Sequence, residues 1–172
     1  MESIKLNFKY SKEEYVNAVR KYLFLSKTIT KTSIIILAIC IIVEIVITFN
    51  SGLTLISCAL WFATLLAMVM GSYLYFIQPG YLYKSTSKLH QQYSLIFAQE
   101  TIYFKTEGIS SELKWTIYKK LWDCPAFYYL VQAKSIYTVI PKRVFNSGTE
   151  LDKFKSLALS GNKDMVYKDY TK

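Results

Sequence analysis

Two stretches interrupt the polar–apolar rhythm of the chain. Residues 33–49 read SIIILAICIIVEIVITF and residues 53–77 read LTLISCALWFATLLAMVMGSYLYFI, apolar on every face but for a few positions. At ~1.5 Å per residue, runs of about 17 and 25 residues reach about 26 and 37 Å. Against a hydrocarbon core of ~30 Å, the first just spans and the second spans with tilt. Only Asn50, Ser51 and Gly52 separate them, which forces an antiparallel helical hairpin. A second apolar run follows at once with no small-residue cleavage site between, so the first does not read as a removable signal.

On either side the pattern changes. Residues 4–10, IKLNFKY, alternate, placing Ile4, Leu6, Phe8 and Tyr10 on one face of a strand. Ser11 and Glu14 have capping-box spacing ahead of a helical face of Tyr15, Val19, Tyr22 and Leu23. A lone strand is not stable, so this one is expected to pair with strands beyond the hairpin, making the hairpin an insertion in one fold. Residues 93–98, 101–106, 109–117, 127–133 and 136–140 read as short strands, with turns at Gln99-Glu100 and Glu107-Gly108. Pro125 breaks the chain after Lys119, Lys120, Leu121 and Trp122, leaving Asp123 and Cys124 in an expected loop. Ser147 and Glu150 form a second capping box before a helix with Leu151, Phe154, Leu157 and Ala158 on one face and Gly161 at its stop. The expected organisation is an amino-terminal strand and amphipathic helix (1–32), a transmembrane hairpin (33–77), a juxtamembrane linker helix (78–91), a β domain closed by a helix (92–161) and a polar, mobile tail (162–172).

Charge orients this arrangement. The net charge is +9, and among 21 cationic residues only Arg20 and Arg143 are arginine. Lysine binds phosphate more loosely than the arginine fork, so nucleic acid is not an expected partner. Arg20, Lys21, Lys27 and Lys31 precede the hairpin and Lys84 and Lys88 follow it, while its loop is uncharged; both termini are therefore expected in the cytoplasm. Tyr73, Tyr75, Phe76, Tyr81 and Tyr83 fall where an aromatic belt would lie. Cys40, Cys58 and Cys124 have neither disulfide-framework nor zinc spacing, which fits a reducing compartment.

Two features inside the hairpin carry alternatives. Ala59, Ala63, Ala67 and Gly71 place a small residue at every fourth position, for packing against the hairpin's own first helix or against another protein. Glu44, a carboxylate in lipid, calls for protonation or a partner: Ser57, Trp61 or the backbone of the second helix in a structural reading, an ion path in a functional one.

Residues 139–154 read VIPKRVFNSGTELDKF. Pro141 cannot donate to a ladder and ends a strand, and Phe145 can plug the open end of the sheet. Lys142 and Arg143 then project at a rim. With Lys119 and Lys120, joined by Lys153 and Lys155, they would form either a basic face for anionic headgroups, at ~1 kcal/mol per cation near the surface, or solvated charge. The single histidine, His90, has no nearby carboxylate in sequence, and no Walker, G-x-S-x-G, G-x-G-x-x-G or H-E-x-x-H motif occurs. Neither a metal nor a cofactor is expected, and the chain reads as non-enzymatic.

Strands followed by one amphipathic helix is the order of a pleckstrin-homology-like domain. The hairpin, ISSELKWTIYKKL, FYYLVQ, the IPKRVF corner and ELDKFKSLAL, in this order, resemble the YcxB-like family over roughly the whole chain. Trp115, Pro141 and Phe145 belong to the most specific part of that likeness. The resemblance implies a small bacterial membrane protein of α+β class, a two-helix transmembrane hairpin with a cytoplasmic antiparallel, pleckstrin-homology-like domain ending in an amphipathic helix. It implies no reaction. The expected role is a membrane-bound module that binds a protein partner or inner-leaflet lipid. An alternative is an immunity protein against a membrane-active toxin or bacteriocin, met through the small-residue stripe and Glu44. A third reading is an accessory subunit of a transporter or channel. Expected partners are membrane lipids, a protein such as a cognate toxin or membrane complex, and a second copy of the chain.

Overall fold

The computed structural model describes residues 3–171; Met1 and Glu2, which open the expected amino-terminal segment, and Lys172, which ends the expected tail, lie outside them. The chain divides into two compact units, one of Lys12–Ser85 and one of Met1–Ser11 with Thr86–Lys172.

The helical unit holds α1 (Lys12–Leu25), α2 (Lys31–Ser51), α3 (Leu55–Ser72), a π-turn (Tyr73–Ile77) and α4 (Gln78–Ser85). Threonine starts both long helices. Thr30 Oγ1 accepts from the Ser33 N–H at 2.9 Å. Thr54 Oγ1 accepts from the Ser57 N–H at 3.2 Å while Ser57 Oγ accepts from the Thr54 N–H at 2.8 Å, a closed capping box. Gly52, at φ +73°, ends α2 in a backbone conformation that other residues rarely adopt. α2 packs on α3. Both apolar helices, Lys31–Ser51 and Leu55–Ser85, are long and apolar enough to cross a membrane, with only 6% and 11% of their apolar windows buried.

The second helix has a local fault with an identifiable cause. In an α-helix the Tyr75 carbonyl would accept from residue 79, but Pro79 has no N–H and its ring would press on that carbonyl. The chain widens into the π-turn just ahead of it. Arg20 Nε donates to the Tyr75 carbonyl at 3.1 Å, and its guanidinium lies over the Tyr75 and Phe76 rings at 5.0 and 5.8 Å. α1 packs on α4, with the Tyr15 and Tyr83 rings 5.8 Å apart.

The β unit contains two four-stranded sheets. The first has β1 (Ile4–Phe8), β2 (Tyr93–Phe97), β3 (Thr101–Thr106) and β4 (Ile109–Lys114) in the order β1-β2-β3-β4. β1 runs antiparallel to β2, with Ile4 opposite Phe97 and Phe8 opposite Tyr93. The alternation places Ile4, Leu6 and Phe8 in the core and Lys5 and Asn7 outside. The second sheet has β5 (Lys120–Asp123), β6 (Phe127–Ala133), β7 (Ile136–Pro141) and β8 (Val166–Asp169) in the order β7-β6-β5-β8. Every pairing is antiparallel except β5 with β8.

Three expectations are corrected here. The strand over 109–117 stops at Lys114, and a 3-10 turn, Trp115–Ile117, drops Trp115 fully into the core. The Trp115 Nε1 donates to the Ala98 carbonyl at 2.9 Å. The segment broken by Pro125 is not loop throughout: Lys120–Asp123 is an interior strand, with Leu121, Trp122 and Asp123 buried. The expected tail instead supplies β8, whose register sets Val166 opposite Lys120 and Asp169 opposite Asp123.

α5 (Gly148–Gly161) closes the unit. Its Phe154 lies 4.9 Å from Phe97, 5.4 Å from Phe145 and 6.2 Å from Trp115, ring to ring. The predicted capping box is displaced by one residue. Ser147 Oγ accepts from the Glu150 N–H at 3.2 Å, but Glu150 Oε2 accepts from the Asn146 N–H at 2.6 Å. Gly161 matters for room rather than for turning the chain: a Cβ there would meet Trp115 Cδ1 at 2.3 Å.

Core substitutions test this packing. Leu6→Ala should lower the stability of the full chain by ~2–5 kcal/mol, and Gly161→Ala by ~1–3 kcal/mol through overpacking. Exposed Lys5→Ala should change it by less than ~0.5 kcal/mol. Denaturant unfolding of the full chain measures all three, and equal effects for Leu6→Ala and Lys5→Ala would contradict the observed register.

Candidate binding site

A cavity of about 540 Å³ lies within the β unit. Leu95 and Phe97 of β2, Ile102 and Phe104 of β3, Ile109 and Leu113 of β4, Leu130 of β6 and Ile136 of β7 supply its apolar lining, and Lys88, Ser111, Gln132 and Thr138 its polar points. Strand order explains the space. β4 and β7 are both edge strands, so the first sheet ends on β4 and the second on β7. At the mouth Ile109 and Ile136 stay 37% and 57% exposed. Phe97 also stacks on Trp115 at 5.7 Å, so the inner wall is continuous with the aromatic cluster beneath α5. The Tyr118 and Thr138 hydroxyls share a hydrogen bond of 3.2 Å. Such a site can take apolar side chains while the free edge of β4 offers backbone N–H and C=O groups to an extended segment. The alternation of Ile109, Ser111 and Leu113 was the available sequence signal; it does not say that no strand covers them.

The cationic corner behaves differently from the expected rim. Lys142 turns inward: its Nζ lies 2.5 Å from Asp123 Oδ1 and 4.7 Å from the centre of the Tyr128 ring. Asp123 Oδ2 accepts from the Tyr167 hydroxyl at 3.0 Å, and that hydroxyl accepts from Lys155 Nζ at 2.7 Å. Burial, reinforced by Asp123, pushes the Tyr128 phenol above its ordinary value, and the bond to Tyr167 raises Lys155. Arg143 donates to the Lys9 carbonyl at 3.0 Å, and the Tyr10 hydroxyl donates to the Val139 carbonyl, so the corner fastens the chain just past β1. Lys119 and Lys120 are exposed at the start of β5, whereas Lys142 pairs with its far end. Of the four cations expected on a basic face, Lys142 is thus held by Asp123, while Lys119, Lys120 and Arg143 stay exposed. Pro141 and Phe145 are buried beside this corner.

In the hairpin, Glu44 is 6% exposed and its Oε1 accepts from Thr64 Oγ1 at 2.5 Å. Thr64 is thus the partner, rather than Ser57, which belongs to the cap of α3, or Trp61, whose Nε1 donates to Thr48 Oγ1 at 3.0 Å. The least exposed positions are Leu37, Ile41, Glu44, Ile47 and Thr48 on α2 and Ser57, Trp61, Thr64 and Gly71 on α3. Ala59, Ala63 and Ala67 are exposed, and Gly71 is half-buried. Ala59 and Ala63 turn away from the first helix, two positions from 57 and 61 and so about 200° round from the packed side, whereas Ala67 lines a cavity together with Ile34 and Leu37 of α2.

Among the described residues, no group of three or more His, Cys, Asp or Glu could hold a metal ion. Residues 97–158 match the family model described as YcxB-like protein. The match runs from the end of β2 into α5 and leaves out the hairpin, narrower than the resemblance read along the whole chain. No curated protein and no solved structure matches.

Lys142→Ala should destabilise the β unit by about 2 kcal/mol, because it leaves the Asp123 carboxylate buried without its cation. Lys119→Ala and Lys120→Ala should each stay within ~0.5 kcal/mol. In urea unfolding, Asp123→Asn combined with Lys142→Ala should lose less than the two single changes added together. Strict additivity would mean the pair is not coupled.

Proposed function

Starting from a chain that carries a YcxB-like domain over residues 97–158, we propose a non-enzymatic, membrane-anchored binding protein. Its two long apolar helices cross the cell membrane, and its β unit, a pleckstrin-homology-like domain on the cytoplasmic side, receives a segment of a protein partner. The observation that carries the anchoring is the pairing of β1 with β2. One strand precedes the helices and the other follows them, so both stand on the same side of any membrane and the crossings must be even in number. Two spans satisfy this. The cations Arg20, Lys21, Lys27, Lys31 and Lys84 flank the spans and favour the cytoplasmic side. The partner reading is supported by the apolar cavity and the free edge of β4. A second reading, an immunity protein that meets a membrane-inserted toxin, is supported by the outward-facing Ala59 and Ala63.

Topology is tested in a background with Cys40, Cys58 and Cys124 replaced by serine. Ser51→Cys should react with a membrane-impermeant maleimide in intact cells, and exposed Lys163→Cys only after permeabilisation. Labelling of residue 163 in intact cells would overturn the orientation. For the partner, a photocrosslinking residue in place of Ile136 should give one discrete protein adduct in cells, lost when Ile109→Glu puts a charge in the cavity mouth. Adducts to lipid alone would reject the protein-partner reading.

A further inference from the structure

We propose that the base of the hairpin holds one anionic phospholipid of the surrounding bilayer, with an acyl chain in a cavity of the helical unit and the phosphate on Arg20. The inference rests on the reading that α2 and α3 cross a membrane.

The cavity measures about 490 Å³ and is walled by Phe24 of α1, Ile29 of the linker after it, Ile34 and Leu37 of α2, and Met68 and Tyr75 on the second helix. Gly71 also lines it and faces open space, since a Cβ there would meet nothing within 4 Å. Of the hydroxyl residues on the wall, Thr28 bonds Ser26 at 2.9 Å and Ser33 bonds Thr30 at 2.7 Å, while Ser72 and Tyr75 add two more polar points. The rest of the wall is apolar and suited to hydrocarbon through dispersion contacts. A helix is about 10 Å across and would place barely one turn in such a volume. A single chain of a lipid fits better than a second protein.

The rim selects the headgroup. The Tyr75 and Phe76 rings line the cavity, and the Arg20 guanidinium lies over both. Its Nε is used by the Tyr75 carbonyl, while among the described residues no carboxylate pairs with its Nη edge. A free guanidinium edge fits two phosphate oxygens. Lys27, in the linker that walls the cavity, is exposed and adds positive charge. An aromatic belt with an arginine above it sits at headgroup level in a spanning protein, so one lipid can satisfy the cavity and the cation together.

The full chain is reconstituted in vesicles of equal phosphatidylglycerol and phosphatidylcholine, extracted in mild detergent and weighed by native mass spectrometry. One phosphatidylglycerol should be retained per chain. Arg20→Gln should lower the phosphatidylglycerol-to-phosphatidylcholine ratio by about fivefold, the factor expected for one cation at an anionic headgroup, and Arg20→Lys should keep most of the preference. Gly71→Leu fills the cavity and should abolish retention of both lipids. An unchanged ratio in Arg20→Gln, lipid retained by Gly71→Leu, or a dimer that Gly71→Leu dissociates would each overturn the proposal. If Arg20→Gln fails to fold by circular dichroism, Arg20→Lys with Gly71→Leu decides: preference kept in the first and retention of both lipids lost in the second supports the site, and any other result rejects it. Alkaline carbonate extraction separates the underlying reading. A chain that washes off the vesicles was never a spanning protein, whereas one that stays without lipid preference lacks only this site.

Discussion

The antiparallel pairing of Ile4–Phe8 with Tyr93–Phe97 governs the rest of the architecture. Phe8 and Tyr93 face each other across one strand spacing, about 5 Å, although residues 9–92 separate them in sequence. Whatever those residues do, they must leave the sheet and return to the same place. Closing a free loop of that length would cost about 4 kcal/mol on the (3/2)RT ln n scale. The helical unit shortens the problem. α1 and α4 pack on each other, with Tyr15 near the start of one against Tyr83 near the end of the other. The entrance and exit of the insertion are thus adjacent within the helical unit itself. Arg143 and Tyr10 then bind across the corner after β1 and β7.

Several polar groups in apolar surroundings, in both units, are met by a residue from a different element: Asp123 by Lys142 and Tyr167, Glu44 by Thr64, the Tyr75 carbonyl by Arg20, the Trp115 indole by the Ala98 carbonyl. Removing either side of such a pair leaves an uncompensated group, which costs more than the bond itself contributes. These contacts therefore fix which face of each element turns inward, as the aromatic cluster around Phe154 fixes how deeply it sits.

Where local pattern decides structure, the sequence was readable. The apolar runs, the alternation of IKLNFKY and the serine cap of α5 are local signals, and the corresponding elements are present. Where a neighbour decides, it was not. Lys120–Asp123 is buried nearly throughout and so shows no alternation. Val166–Asp169 has no apolar face and becomes a strand only because β5 has a free edge for it. Lys142 looked like a rim cation because Asp123, its partner, is distant in sequence. The small-residue stripe was visible, but which side of α3 turns to α2 is set by Trp61, Thr64 and their partners on the other helix. The candidate cavity depends on which strands lie at the sheet edges, a property of topology that no segment carries alone.

Pro79 has one more effect, on rotational phase. A π-turn admits one residue beyond the α-helical count, and each residue advances a helix by about 100°. Everything after Tyr73–Ile77 is thereby turned by roughly that angle against the part before it. The face of Leu55–Ser72 that meets α2 and the face of Gln78–Ser85 that meets α1 need not lie along one stripe. One unbroken helix can thus answer to two neighbours in two different directions, and the residue that sets the angle is the one without an amide hydrogen.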